Sequence, residues 1–398
     1  MKKIFFVFLL AAGTVASAAV PRVSNVTMTQ YGKCRIGYTL SEAPGIVTFD
    51  ILTNGVSIGA QNLTNAVGDV NRLVQPGARA IQWNASEVWP VHKFRTPCVT
   101  AKVTVWPTNA PPDWIAVDLT KDDCPVTYYA SEAALPWGRI GGNQKYKGDV
   151  MLMRKIPASH VLSFMGSPET ESYHQADGRE TRRMCTLTND FYIGIYPLTF
   201  RQYYLLNEGP TTTESRFLPV WNQAYNMLRY HAKNTETTPR PVDFPKTSRA
   251  FIGSSSLIKA WRDRTGLVLD LPTSAQWEFA CRAGTDTSLY NGGHTWANLT
   301  AICSPNNHNY EVGQYAANSW QLYDMIGNVY EWCLDCYEAG ISSDAVTDPQ
   351  GPVEGSRFYR KLRGGYTPTD NMRVAFVASE HDRVQRTDIG FRLCITLP

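Results

Sequence analysis

The segment Pro107-Thr-Asn-Ala-Pro-Pro112 restricts this chain more than any other. Three prolines in six residues fix φ and remove backbone donors, so neither a helix nor an inner strand runs through them. The chain is therefore expected to fold as two parts. From residue 19 to 106 the pattern alternates with a period of two, as in Cys34-Arg-Ile-Gly-Tyr-Thr39, Ile46-Val-Thr-Phe-Asp-Ile51 and Val99-Thr-Ala-Lys-Val-Thr-Val-Trp106. Turn residues such as Asn54-Gly55 and Pro76-Gly77 separate these runs. The pattern predicts a small all-β sandwich of immunoglobulin or fibronectin-III type, without a catalytic constellation, suited to a spacer or adhesion role.

From residue 113 to 398 the pattern is mixed. Thr199 with Gln202, and Thr273 with Gln276, are capping boxes, in which a hydroxyl and an amide each satisfy the other residue's open backbone donor. The first opens a helix closing near Gly209. The second opens Ser274-Ala-Gln-Trp-Glu-Phe-Ala-Cys-Arg-Ala283, which Gly284 stops. Ser254 or Ser255 precedes Leu257, Ile258 and Trp261 at helical spacing, with Gly266 as the stop. A few helices among segments dense in Gly, Asn and Pro predict an irregular α+β domain.

Residues 1–18 read as an export signal, with Lys2 and Lys3, an apolar run over residues 4–12, and the small-residue site Ala16-Ser17-Ala18. That run is too short for a bilayer, which needs about 20 residues, and no later stretch is apolar enough to span one. The mature protein is expected in a periplasm or outside the cell, with no membrane span. Loss of the signal takes two of the 38 basic residues and none of the 35 acidic ones. The balance left, near +1, makes no electrostatic case for nucleic acid.

Three motifs carry the chemistry: Leu322-Tyr-Asp-Met-Ile-Gly-Asn-Val-Tyr-Glu-Trp332, Arg363-Gly-Gly365 and Gly390-Phe-Arg392. Before them stand Met151-Leu-Met-Arg-Lys-Ile-Pro157, Phe164-Met-Gly-Ser-Pro-Glu169, Asp190-Phe-Tyr-Ile-Gly-Ile-Tyr196 and Leu271-Pro-Thr-Ser-Ala-Gln-Trp-Glu-Phe-Ala280, with Gly351-Pro352 between the first two motifs. In this order they resemble the sulfatase-modifying-factor family, whose founding activity is the formylglycine-generating enzyme. The resemblance covers residues from about 113 to 398. It implies a variant of the C-type-lectin fold, with two helices against small twisted sheets.

The resemblance also implies a structural calcium ion, held by the Asp324 and Glu331 side chains and the Gly327 and Val329 carbonyls. Calcium takes six or more hard oxygens, and a tight glycine-containing turn can aim alternate carbonyls inward. Asn298 and Leu299 match half of the family's other calcium site, but Ser304-Pro-Asn-Asn307 offers it no aspartate.

The family's oxidase chemistry uses two cysteines after the glycine pair to bind copper and oxidise a peptide cysteine to an aldehyde. By counting, those positions are Thr369 and Val374 here, and Tyr366 stands where a serine is usual. Residues 366–392 contain no cysteine, and oxygen ligands do not replace the soft thiolates that hold monovalent copper. Copper and formylglycine formation are therefore not expected, and no catalytic residue is assigned. The related sulfoxide synthases hold iron through histidines of an added domain, whereas the added domain here has only His92. Relatives with this fold place ligand contacts between the glycine pair and the final Gly-Phe-Arg. By that analogy Tyr366, Asp370, Asn371, His381 and Asp382 are candidate contacts for a peptide, glycan or protein partner.

The chain has nine cysteines, an odd number. Export makes structural disulfides the expectation: Cys34 and Cys98 are candidates to pair, and Cys333 and Cys336 either pair together or reach Cys303 or Cys394. Cys281 occupies a position where the family often has a half-cystine whose usual partner is Val374 here. The Cys333-Leu-Asp-Cys336 motif also leaves open an enzyme with a rearranged centre, acting on a protein cysteine or a small thiol.

Overall fold

The computed structural model describes residues 19–31, 33–88, 98–209, 216–231, 252–293, 295–352, 358–365 and 372–398. The export signal, His92, Tyr366, Thr369, Asp370 and Asn371 lie outside the described residues.

The period-two runs of the first part become two antiparallel sheets. Strand Lys33–Ser41 pairs with Arg22–Tyr31 on one side and Gly77–Trp83 on the other, with Val67–Gly68 beyond. In the second sheet Gly45–Thr53 pairs with Val99–Trp106, Val56–Ser57 and Leu73–Val74. Alternate residues Ile36, Tyr38 and Leu40 turn inward and meet Val47, Ile51, Ile81 and Trp83 in one core. The proline seam is anchored to the second part: Lys155 Nζ donates to the Pro111 carbonyl at 2.6 Å, and the Tyr192 hydroxyl donates to that of Pro112.

In the second part a five-stranded antiparallel sheet runs in the order Val126–Tyr129, Trp114–Asp118, Val150–Ile156, Phe191–Gly194, Cys394–Thr396. The last strand of the chain thus pairs with one laid down two hundred residues earlier. A second sheet orders Ala378–His381, Tyr359–Arg363, Tyr330–Cys336 and Ile389–Gly390, the last pair parallel. A third joins Val161–Met165, Arg183–Leu187 and Val346–Thr347. Helix Ser274–Arg282 is buried along most of its length and packs on the second and third sheets. Helix Leu257–Thr265 closes the other core, its Trp261 stacked on Phe391 with ring centroids 6.0 Å apart.

Both capping boxes form. Thr273 Oγ1 accepts from the Gln276 backbone at 3.0 Å while Gln276 Oε1 accepts from the Thr273 backbone at 3.0 Å. The Thr199–Gln202 pair repeats the arrangement, and its helix ends at Leu206, not near Gly209. The cap of the helix at 257 is Ser256, whose Oγ accepts from the Lys259 backbone; Ser255 instead bonds His231. Helices Tyr225–Arg229 and Trp296–Ile302 carry no capping box and were not expected.

The expected disulfides are absent: all nine cysteines are described and none is disulfide-bonded. Cys34 faces the amino-terminal core, whereas Cys98 is exposed at the end of the other sheet. Cys185, Cys281, Cys303, Cys333 and Cys394 are all packed within one hydrophobic core as thiols.

Candidate functional site

The three glycine motifs meet in space. Asp324, Gly327 and Asn328 have φ of 52°, 85° and 65°, so the chain coils tightly through the left-handed region. Gly327 has no alternative there, because a Cβ would lie 2.5 Å from that of Cys303. Its backbone N–H donates to the carbonyls of Gly364 and Gly365 at 3.1 and 3.0 Å, which locks the glycine pair onto the turn. Gly364, at φ 94°, lies so close that a Cβ would meet the Val329 carbonyl at 3.0 Å.

Arg392 of the third motif closes the turn from inside. Its Nε and Nη2 donate to Glu331 at 2.6 and 2.7 Å, Nη1 to the Gly194 carbonyl at 2.9 Å, and Nη2 also to the carbonyls of Tyr323 and Asp324. Trp277 Nε1, from the capped helix, donates to Glu331 Oε2 at 2.8 Å. Glu331 therefore does not stand open as one of two equal carboxylates. Three bonds fall on it, two of them on Oε2, and Oε1 keeps one acceptor direction.

Asp324 is also buried, and Gly313 N–H donates to its Oδ2 at 2.7 Å. Among the described residues, its Oδ1 accepts no hydrogen bond and the nearby Tyr196 hydroxyl finds no partner. Burial pushes the Asp324 carboxyl up to about 6. An unsatisfied buried carboxylate oxygen is costly unless a cation meets it. The oxygens that would hold a metal here are Asp324 Oδ1, Glu331 Oε1 and the Gly327 and Val329 carbonyls, the Gly327 carbonyl already accepting from the Val329 N–H at 2.9 Å; all are hard oxygens that fit calcium better than a soft metal. Among the described residues no group of three or more His, Cys, Asp or Glu side chains comes together.

Arg363 organises the neighbouring return of the chain. Its Nε donates to Ser274 Oγ and its Nη2 to Glu278, both at 2.8 Å, while Nη1 meets the carbonyls of Val374, Ala375 and Phe376. Val374, which ungapped counting puts at the second copper-thiol position, is a wholly buried apolar side chain. Of the candidate ligand contacts, His381 is half-buried and stacks on Phe358 at 5.7 Å. Asp382 departs from the expected surface role: it is 2% exposed, with its backbone tied to Asn226 and Phe358.

Cys333 and Cys336 do not form a dithiol. Cys333 is buried in the core, and burial pushes its thiol well up. Cys336 is half-buried beside Arg360, whose Nη1 lies 2.8 Å from the sulfur and whose guanidinium covers Tyr225 in the other core. A register shift in the strand between Trp332 and Cys336 accompanies this divergence.

The sequence reading passed over Arg373, Tyr173 and Trp296, which line one cleft of about 190 Å³. No shared periodicity marks them, since Tyr173 and Arg373 come from irregular stretches and Trp296 opens a short helix.

A family model described as "Sulfatase-modifying factor enzyme 1-like domain" matches residues 159–397. Among curated proteins, the serine/threonine-protein kinase pkn1 of Chlamydia pneumoniae is 36% identical over 219 residues, covering 52% of this chain and 33% of that one. The formylglycine-generating enzyme of Streptomyces coelicolor is 31% identical over 158 residues, covering 33% of this chain and 50% of the enzyme. That of Thermomonospora curvata is 32% identical over 114 residues, 24% and 37% of the two chains. The chain thus spans a third to a half of the length of these relatives. Among solved structures, Treponema denticola variable protein 1 aligns with TM-score 0.45 and 23% identity over 63% of this chain and 96% of its own. PvdO from Pseudomonas aeruginosa aligns with TM-score 0.46 and 20% identity over 62% and 95%.

Proposed function

The chain belongs to the sulfatase-modifying factor enzyme 1-like family, and from that premise we propose that it is an exported binding module which keeps the family scaffold without its copper-dependent cysteine oxidase. The observation that carries the reading is the cysteine-free return from Gly365 to Arg392, in which Val374 is a sealed apolar residue. Cys333 and Cys336 offer no substitute, because one is enclosed and the two diverge. The kinase activity in the name of the Chlamydia proteins is not carried over, since the match covers a third of their length.

In this reading calcium braces the turn, held by Asp324 and Glu331 with the Gly327 and Val329 carbonyls. The ion supplies charge compensation, not redox chemistry. The amino-terminal part is a spacer of immunoglobulin or fibronectin-III type; pairing of Lys33–Ser41 with Gly77–Trp83, and of Gly45–Thr53 with Val99–Trp106, suits that assignment. The ligand is an extracellular peptide, glycan or protein.

The test is mass spectrometry of a cysteine-containing peptide incubated with the purified full chain, copper and oxygen. We expect the peptide to remain unmodified. An aldehyde product that disappears in Cys336→Ser would replace this reading with that of an oxidoreductase built on a rearranged centre.

A further inference from the structure

The cleft beside the returning chain is built, and its chemistry is specific. Leu289, Leu299 and Met372 are buried apolar residues in its lining, and Ser172, Ser288 and Thr295 bring hydroxyls to it. Tyr173 and Trp296 also line it, with 58% and 51% of their surface exposed. Other tryptophans of this domain, such as Trp261, Trp277 and Trp332, are wholly buried.

The exposure of Tyr173 is maintained by a device. Its φ is 66°, in the left-handed region, where a bulky side chain is strained. Arg373 Nη2 grips the Tyr173 carbonyl at 2.7 Å. The same guanidinium is clamped by Glu171 at 2.7 Å and by Glu180 at 2.9 and 3.0 Å, and all three side chains are at least nine-tenths buried. Rigid support of this kind holds a strained aromatic residue at the mouth of a cleft.

The charges select the ligand. Among the described residues of the lining, Arg373 is the only ionisable group apart from Tyr173, and two carboxylates already balance it. The cleft therefore offers an anion no net positive charge. It offers aromatic surface, the Ser172 hydroxyl, and the Thr295 oxygen as an acceptor, since the Thr295 proton goes to Asn298. At about 190 Å³ it lies below the ~300–1,000 Å³ of a pocket for a drug-sized ligand, so it suits one small ring and not a length of peptide.

We propose that this cleft is a subsite for one neutral sugar ring, whose C–H face lies against Tyr173 and Trp296 while its hydroxyls bond Ser172 and donate to Thr295 Oγ1, whose own proton is taken by Asn298. The proposal deepens the binding-module reading and rests on it, in that the cleft holds a ligand without transforming it.

The experiment is calorimetric titration of the full chain with glucose-, mannose-, galactose- and N-acetylglucosamine-based trisaccharides. At least one is expected to bind, with Kd raised about tenfold or more in Trp296→Ala and in Tyr173→Ala. Trp296→Tyr should restore most of the affinity. Both aromatic residues are exposed, so unchanged melting temperatures will show that the variants fold. Binding by none of the four, or binding that neither alanine variant weakens, overturns the proposal. A cysteine peptide left unmodified in the oxidase assay would then leave the broader reading standing, whereas an aldehyde product would remove that reading whatever the sugars do. Peptide binding that Trp296→Ala abolishes, without sugar binding, assigns the cleft to a peptide and also overturns it.

Discussion

Arg392 grips Glu331 through two hydrogen bonds, of 2.6 and 2.7 Å, with neither side chain exposed to solvent. The pair joins the last motif of the chain to the turn around Gly327 and also ties down Gly194 and Tyr323. Arg392→Met would leave Glu331 buried with only Trp277 as a partner. Breaking one side of a buried pair costs about 3–5 kcal/mol, and we expect urea unfolding at pH 7 to report a loss of that size. Arg392→Lys should recover little of it, since an ammonium lacks the planar fork. A loss below about 1 kcal/mol would show that the pair is not what holds the turn.

Asp324 makes the proposed calcium site sensitive to pH. Burial raises its folded pKa from 3.8 to about 6, so without metal the folded state binds the proton more tightly than the unfolded chain does. Stability in chelator should then fall as pH rises from about 4 to about 6, with the whole penalty present above that window. Calcium needs the carboxylate, so its stabilisation should be large at pH 7 and small at pH 5. At a concentration a hundredfold above Kd it amounts to about 2.7 kcal/mol, a shift of several degrees in Tm. Asp324→Asn should abolish the calcium response and flatten the slope in chelator. Superimposable melting curves of the wild type with calcium and with chelator at pH 7 would remove the metal from the account.

Local chemistry was legible in the sequence, and long-range chemistry was legible only through the resemblance. The Thr199 and Thr273 caps close within three residues, so the spacing alone locates them. The strands around Ile36 and Ile51 follow from period-two alternation. The helix start at Ser256 was displaced by one residue because three serines compete and His231, twenty-four positions away, takes Ser255. Glu331 looked like an open ligand because its partner Arg392 lies sixty-one residues on. The Arg373 network joins residues about two hundred positions apart, and no local pattern announces it. The disulfide expectation came from compartment and count, which carry no information about where each sulfur points.

The nine cysteines should react as thiols in two classes. Cys98 is exposed and Cys336 half-buried, whereas burial pushes Cys185 and Cys303 up to about 12 and also raises Cys281, Cys333 and Cys394. Alkylation of the native protein without reductant should modify Cys98 and Cys336 first, as read by peptide mass spectrometry. In denaturant, still without reductant, all nine should be modified. Protected pairs under those conditions would mean that disulfides do form and that the thiol packing described above is incomplete.

Lys361 has the opposite electrostatic problem to Asp324. It sits in strand Tyr359–Arg363 with 3% of its surface exposed, and burial lowers its pKa, opposed chiefly by Asp335. Its ammonium makes no ion pair or hydrogen bond among the described residues, and Arg183, also buried, adds repulsion. A base whose folded pKa lies below its unfolded one is destabilising while the unfolded chain stays protonated, and the penalty fades as pH rises toward the unfolded value. Wild-type stability should therefore gain a contribution from this residue between neutral pH and about pH 10.5. Lys361→Met, similar in length and apolar, should be more stable than wild type at pH 7 by about 1 kcal/mol, with the difference narrowing at pH 10. The comparison needs only denaturant melts of the two proteins at both pH values. If the methionine variant is instead less stable at pH 7, the Lys361 amine has a stabilising partner and the electrostatic assignment is wrong.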